Sequence, residues 1–482
     1  MDRRTFIKGS VAGASLLLQR RGFGQESGTI AVEQPIGRMP ARSSLEIAAS
    51  PLSVGFEVLD RRGFDPVRTY PFLAALGVKW ARCQTGWARC ETRQGRYDFS
   101  WFDQVVDELR GIGIQPWFNV GYGNRLYTAG APDDAAVGWT PVFDEAAMQA
   151  WLAYVNALVR HFAERVLHYE IWNEPNHAGF WRPRDPLAED YVRLVERTAP
   201  VIREILPEAV IIGGAFAGLS DRFISDCIRA GLTEHIDALS FHPYRARPEE
   251  KYADEIGVLR RILDKYNATC LLWQGENGCP SVGGAGSAGA LSDLDWDETR
   301  QAKWLLRRIL VDLQNELALT SYFHTVDLVG YRGQTNFKGL LRGEDYTPKP
   351  AYFAYQRLCA LFDAETNVMA DLKADECVLK FPDAEDTETE EIQQVAFDRR
   401  QRLLYAWWRP VSLQEPVVDG EVAVRLTLPD TVRLDAPVLL DPLSGDVFAV
   451  DDAQCSGRQI TLDKLPLRDY PLLLADRGLI DG

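Results

Sequence analysis

The sequence is short of the residues that metal, redox and nucleic-acid chemistry draw on. It holds 6 His in 482 residues. None falls in H-x-H or H-E-x-x-H spacing, so a metal-dependent barrel hydrolase finds no ligand set and no metal or other cofactor is expected. The 8 Cys are scattered without a C-x-x-C pair, which excludes zinc modules and thioredoxin-like motifs. Cys83 with Cys90, or Cys270 with Cys279, are candidate pairs, though most buried Cys are simply small apolar residues. No G-x-G-x-x-G follows the first predicted strand, which argues against a dinucleotide-binding sheet. Basic charge is in deficit, with a formal net charge of −16, so neither nucleic acid nor an anionic membrane surface is an expected partner. Long apolar runs are missing too, since Val11 to Leu18 is too short to span a bilayer.

What is present begins with an address. Asp2-Arg3-Arg4-Thr5-Phe6-Ile7-Lys8 followed by that apolar stretch resembles a twin-arginine export signal cut near Gln25, which predicts a periplasmic or extracellular protein. Residues 26–50 read as a polar linker. The composition, 46% hydrophobic and 25% charged, is that of an ordinary soluble protein. The chain carries 13 Trp. Flat rings suit the C–H faces of sugars, but a large core buries such rings equally well.

From about residue 51 short apolar runs alternate with helical periods. Eight runs read as strands: Leu52–Val58, Val78–Gln84, Ile114–Gly121, Leu167–Glu174, Ala209–Phe216, Ala238–Tyr244, Cys270–Asn277 and Leu319–Asp327. Between them, stretches such as Phe102–Leu109 and Trp304–Leu310 place apolar residues on one helical face, and Pro350–Leu361 reads as a closing helix. An α/β fold follows, a (β/α)₈ TIM barrel over residues 51–362, which matches the roughly 250 residues such a barrel needs. Residues 363–482 read differently, as short strands punctuated by Asp-Gly, Ser-Gly and Pro, and predict a C-terminal all-β sandwich domain. An acidic run at Asp383–Glu391 reads as a solvated loop.

Catalytic groups of a barrel sit at the C-terminal ends of its strands. Strand four ends in Trp172-Asn173-Glu174-Pro175 and strand seven in Gln274-Gly275-Glu276-Asn277, three βα units apart. Two carboxylates facing each other across a barrel mouth are what a retaining glycosidase uses, at about 5–5.5 Å. Glu174 is therefore the candidate acid/base and Glu276 the candidate nucleophile. The nucleophile needs hydrogen-bond donors, and Arg82 on strand two and Tyr244 on strand six are placed to supply them. Asn173 faces the same mouth, where it can hold a sugar hydroxyl. His242 reads as a neighbour or substrate contact. Asn119, Tyr122 and Asn124 after strand three read either as sugar contacts or as loop supports. Glu57, Glu91 and Glu170 read as surface residues or ion-pair partners, with Glu170 on the same strand face as Glu174 and either one layer deeper or outside.

Together these residues resemble the clan A glycoside hydrolases, whose hallmarks are Asn-Glu-Pro on strand four and a Glu on strand seven. Ile171-Trp172-Asn173-Glu174-Pro175-Asn176 with Gly179-Phe180-Trp181, and Gly86-Trp87 through Gly95-Arg96-Tyr97-Asp98-Phe99-Ser100-Trp101, look most like glycoside hydrolase family 39. The resemblance covers the barrel. It implies a carbohydrate substrate, β-xylosidase-like action, a covalent glycosyl-enzyme intermediate, net retention and no metal. Two positions depart from the pattern. Gly275 stands where Thr usually precedes the nucleophile. Strand eight reads Tyr322-Phe323-His324-Thr325 where a sugar-stacking Trp is usual, leaving Phe323 or His324 as platform. Two other readings remain: an endo-acting polysaccharide hydrolase, and a carbohydrate-binding barrel without catalysis. The second predicts a lost carboxylate, and both are present. The long stretches Gly123–Trp139 and Cys279–Trp296 are candidate cleft walls, the Gly-rich part of the latter a candidate lid.

Overall fold

The computed structural model describes residues 34–128, 130–219, 221–380, 392–450 and 454–480. The twin-arginine-like segment and the acidic run 383–391 lie outside the described residues.

Eight parallel strands form a closed barrel: β1 (Leu52–Gly55), β2 (Trp80–Gln84), β3 (Gln115–Val120), β4 (His168–Ile171), β5 (Val210–Ala217), β6 (Ala238–His242), β7 (Leu271–Asn277) and β8 (Leu319–Tyr322). β1 pairs with β8 through Leu52↔Thr320 and Val54↔Tyr322, which closes the ring. The helices outside obey the apolar periodicity. Ser100–Gly111 buries Phe102, Val105, Val106 and Leu109 against the barrel. Glu145–Phe162 begins at Asp144, whose carboxylate accepts from the Ala147 amide at 2.8 Å, and Asp297 caps Glu298–Gln314 in the same way. Such caps satisfy amides that the first helical turn leaves without partners.

The barrel interior is layered. Trp117, Ile212, Ala238, Trp273 and Leu319 form an apolar plug. Above it lies a polar layer containing Arg82 and Glu170, both fully buried. The strands end earlier than periodicity implies. β4 stops at Ile171 because Trp172 (φ 72°) and Glu174 (φ 46°) take left-handed backbone. Val58 (φ 68°) does the same just after β1. A β-branched residue in that region is strained, and such strain is held where surrounding structure fixes it, commonly at functional sites.

The C-terminal part packs a seven-stranded antiparallel sheet and a four-stranded one. Gly420–Thr427 shows the expected alternation, with Val422, Val424 and Leu426 inward. Leu472–Asp476 pairs with both Arg402–Trp408 and Pro437–Asp441 and is buried along its whole length, so it shows no alternation to read. Part of the expected linker is structured. Gly37–Arg38 pairs with Asp446–Val447 as an edge strand, and Ile47 is fully buried, because this segment runs under the barrel to the sandwich. Glu249 links the two parts: Arg307 donates to it at 2.7 and 2.6 Å, and Trp408 Nε1 at 2.7 Å.

Neither cysteine pairing forms: Cys83, Cys90, Cys270 and Cys279 are all free thiols. No helix among the described residues is long and apolar enough to cross a membrane.

Candidate active site

The strand ends build the site one side chain at a time. Arg82 projects from β2 and is completely buried. Its Nη1 donates to Glu276 Oε2 at 2.8 Å and to Glu57 Oε1 at 3.1 Å. Its Nε and Nη2 donate to Glu170 Oε2 at 2.9 and 2.5 Å, and Nη2 also reaches Asn173 Oδ1 at 2.8 Å. One planar guanidinium thus orients three carboxylates and an amide, a task its fixed fork of donors suits.

Glu276 receives a second donor from Tyr244, whose hydroxyl lies 2.8 Å from Oε1. Burial pushes the Tyr244 phenol well up, which keeps it a donor. Both oxygens of Glu276 are therefore hydrogen-bonded, as a charged nucleophile requires. Glu174 has a different environment. Its Oε1 meets His242 Nδ1 at 3.0 Å, and no Lys or Arg among the described residues forms an ion pair with it. The left-handed turn through Trp172 and Glu174 aims it across the mouth, with its amide bonded to Ala215 O at 2.8 Å. Ligand atoms of Glu174, His242 and Glu276 all lie within 4.8 Å of one another. That cluster has the composition of a metal site, but its geometry is otherwise: Arg82 and Tyr244 already occupy both oxygens of Glu276 with N–H and O–H donors, which a cation would have to displace.

A cavity of about 1460 Å³ opens above this set. Glu174, Glu276, Asn173, His242, Tyr244, Tyr122 and Phe323 line it. Arg82 stands behind Glu276 without facing the cavity. Asn119 does not reach it; its Nδ2 donates to Glu170 Oε2 at 2.9 Å and to Trp172 O at 2.6 Å, so it supports the strand-four turn. Asn124 likewise holds its loop through Glu91 O at 2.8 Å. His324 is not a platform. It is buried between Val326 O and Glu57 O, each at 3.2 Å, and burial lowers its pKa to about 4. Phe323 alone of that pair faces the cavity. No Trp lines it among the described residues; Trp87, Trp117, Trp151, Trp172, Trp181, Trp304, Trp407 and Trp408 are core residues.

The three side-lined glutamates are neither exposed nor idle. Glu170 lies deeper, bonded by Arg82, the inner of the two placements its spacing allows. Glu91 is buried and ties its loop together through Trp87 Nε1 (2.7 Å), Tyr127 OH (2.5 Å) and the Gly95 amide (2.5 Å). Glu57 is a third carboxylate of the site itself, buried, lining the cavity and leaning on Arg82. Burial pushes its carboxyl up to about 8, against the pull of Arg82 and with the push of Glu276. Glu57 lies two residues beyond β1, where only the left-handed turn at Val58 reveals that it points inward. Two more features had no signal in the sequence: the hairpin Leu328–Tyr331 with Gln334–Asn336, which walls one side, and the buried Lys338 that follows it.

The glycine before the nucleophile has a local cause. A Cβ on Gly275 would stand 2.2 Å from Ser240 Oγ and 3.2 Å from Glu170 Oε1. Ser240 on β6 occupies the space a larger residue would need.

The family model of Glycosyl hydrolases family 39 matches residues 58–270. The chain resembles the family 39 glycoside hydrolases of clan A. A "Beta-xylosidase" of Geobacillus stearothermophilus is 29% identical over 168 residues, which is 32% of each chain, so the match spans about a third of that relative's length. Among solved structures, a family 39 glycoside hydrolase from the gut symbiont Bacteroides cellulosilyticus WH2 superposes with TM-score 0.63 at 19% identity, over 89% of this chain and 81% of that one. A monomeric beta-xylosidase from Caulobacter crescentus CB15 gives TM-score 0.57 at 17% identity, over 91% and 97%. At these identities the structural likeness establishes a shared fold over most of the chain.

Proposed function

We propose that the protein is a retaining glycosidase that removes sugars from oligosaccharide ends, a β-xylosidase-like hydrolase. The observation that carries this is the approach of Glu174 and Glu276 within 4.8 Å, one bonded by a guanidinium and a phenol, the other by an imidazole alone. Inverting enzymes hold their carboxyls about 6.5–9.5 Å apart to admit a water between acid-base pair and sugar; the shorter distance leaves room only for direct attack.

In the first step Glu276 Oε2 or Oε1 attacks the anomeric carbon while Glu174 passes its proton to the departing glycosidic oxygen. A glycosyl ester on Glu276 and a free alcohol result. In the second step Glu174, now a carboxylate, takes a proton from water as that water attacks the anomeric carbon and Glu276 leaves. Two inversions give net retention. Asn173, held by Arg82 through Oδ1, keeps its amide nitrogen free for a sugar hydroxyl. The walls made by residues 132–135, 288–290 and the 328–336 hairpin favour action at a chain end.

The test is proton NMR of the first product formed from a cleaved nitrophenyl glycoside, taken before mutarotation. The substrate's own anomer is expected. The opposite anomer excludes the double displacement, and cleavage of polymeric xylan without cleavage of short glycosides excludes end-specific action.

A further inference from the structure

The turn after β1 does more than point Glu57 inward. Leu59–Arg61 form a single helical turn bracketed by left-handed backbone at Val58 (φ 68°) and Arg62 (φ 56°). These strained corners bring Asp60 and Arg61 to the cavity, and neither has a place in the chemistry described above. Asp60 packs so closely on the loop after β2 that a Cβ on Gly86 would stand 2.3 Å from its own Cβ. Its side chain is 2% exposed, and its Oδ1 has no hydrogen-bond partner among the described residues. Arg61 stands beside it, with Nε 3.8 Å from that oxygen. The Arg61 guanidinium donates to Gln84 Oε1 at 2.8 Å through Nη2 and lies against Tyr122, 5.5 Å from the ring centre. Those contacts leave donors of a five-donor fork unused. An acceptor without a donor thus lies beside donors without acceptors, and a sugar hydroxyl can serve both. Burial pushes the Asp60 carboxyl up while Arg61 pulls it down. The pair carries little surplus charge, which suits a neutral hydroxyl better than an anion.

The cavity has room for such a partner. At about 1460 Å³ it exceeds the roughly 300–1,000 Å³ of a pocket for one drug-sized ligand, and a single sugar ring is smaller still. Beyond Arg61 it is lined by Ala88 and Thr92 after β2 and by the wall at residues 132–135 after β3. Glu174 must stand at the leaving oxygen. Asp60 and Arg61 instead follow Glu57, which shares Arg82 with Glu276. A sugar bound there belongs to the part of the substrate that stays on the nucleophile.

We propose that this part of the cavity is a subsite for a second, neutral sugar, joined to the unit held between Glu174 and Glu276 on the side away from the scissile bond, and that Arg61, with Asp60 beside it, binds its hydroxyls. This rests on the glycosidase reading above and names its substrate class: an oligosaccharide whose cleaved end is a two-sugar unit.

The test compares nitrophenyl β-D-xyloside with nitrophenyl β-D-xylobioside, and nitrophenyl β-D-glucoside with nitrophenyl β-D-cellobioside, on the whole protein, Arg61→Met and Arg61→Lys. Each pair shares its leaving group and differs by one sugar. In at least one series the second sugar is expected to raise kcat/KM roughly ten- to hundredfold, the range of a hydrogen bond to a charged donor, with the disaccharide as the first sugar product. Arg61→Met erases that ratio and Arg61→Lys keeps part of it, whereas damage to the fold lowers both members of a pair alike. Calorimetric binding of xylobiose against xylose, and of cellobiose against glucose, is measured in parallel. A disaccharide preference that Arg61→Met removes, with no glycoside turned over, supports the subsite and refutes the hydrolase reading alone. Turnover without a gain from the second sugar, release of the terminal monosaccharide first, or a gain that survives in Arg61→Met overturns the proposal. So does the absence of any disaccharide preference in binding and turnover alike. If Arg61→Met does not fold, the ratio in the unaltered protein and its partial loss in Arg61→Lys decide.

Discussion

Arg82 Nη1 lies 2.8 Å from Glu276 Oε2, and the same guanidinium closes on Glu57 and Glu170. The hold on the nucleophile is thus part of a buried network with one cation among three carboxylates. Taking away its geometry exposes all three to each other. Arg82→Lys keeps the charge but not the fork of donors. It is expected to lower kcat about a hundredfold and to cost about 1–3 kcal/mol of stability, the range for leaving buried acceptors without donors. Steady-state kinetics on a cleaved glycoside and urea unfolding measure the two effects.

Glu57 makes the site sensitive to alkali. With its folded value raised to about 8 from an ordinary 4.5, the native protein binds a proton that the unfolded chain releases. The associated stability is fully present below about 4.5 and is lost as pH rises through about 8. Ionised Glu57 also competes with Glu276 for Arg82 Nη1. Glu57→Gln should therefore gain thermal stability relative to the native protein as pH increases from 5 to 9, and the alkaline limb of kcat should move. Parallel melting curves in both proteins across that range, with the same slope, would remove Glu57 from the account.

How far the sequence announced this site depends on what each residue's neighbours in sequence reveal. Glu174 and Glu276 were legible because strand-end position and local motif coincide there, and the eight barrel strands because short apolar runs alternate with 3.6-residue periods. Glu57 was read as an ordinary ion-pair or surface carboxylate. Its inward turn depends on Val58 adopting φ 68°, which no propensity predicts. Lys338 escaped for a different reason: residues 288–289 are brought over its ammonium by long-range packing. The sequence leaves Asn119 open between sugar contact and loop support, and offers His324 with Phe323 as the strand-eight platform. The side chains of Asn119 and His324 instead close backbone hydrogen bonds beneath the cavity, a choice that depends on which face of the strand the chain leaves by. The sandwich strand Leu472–Asp476 lacks alternation because both its faces are covered.

Gly275 tests how local sequence and barrel packing constrain each other. Gly275→Thr should destabilise the protein by about 1–3 kcal/mol through overpacking against Ser240 Oγ. Combining it with Ser240→Gly should recover a good part of that loss. A double-mutant cycle by thermal unfolding reads the coupling, and strictly additive costs would mean that Ser240 is not the obstacle.

The barrel and the sandwich meet at Glu249, which accepts from Arg307 twice and from Trp408. Glu249→Ala leaves a fully buried guanidinium facing an empty site. A loss of about 3–5 kcal/mol is expected. The mutation lies away from the cavity, so KM for a cleaved glycoside should stay as it is while the melting temperature falls; differential scanning calorimetry beside initial-rate measurements separates the two.

The central claim is that Glu276 attacks the sugar and Glu174 handles the proton. Glu276→Gly, incubated with a glycoside that the native protein cleaves and with added azide, addresses it most directly. The account predicts that the variant is inactive in buffer, and that azide restores turnover by filling the space of the missing carboxylate. The product is then a glycosyl azide of inverted configuration. A variant that cleaves as fast as the native protein without azide would contradict the assignment, as would a rescued product of retained configuration.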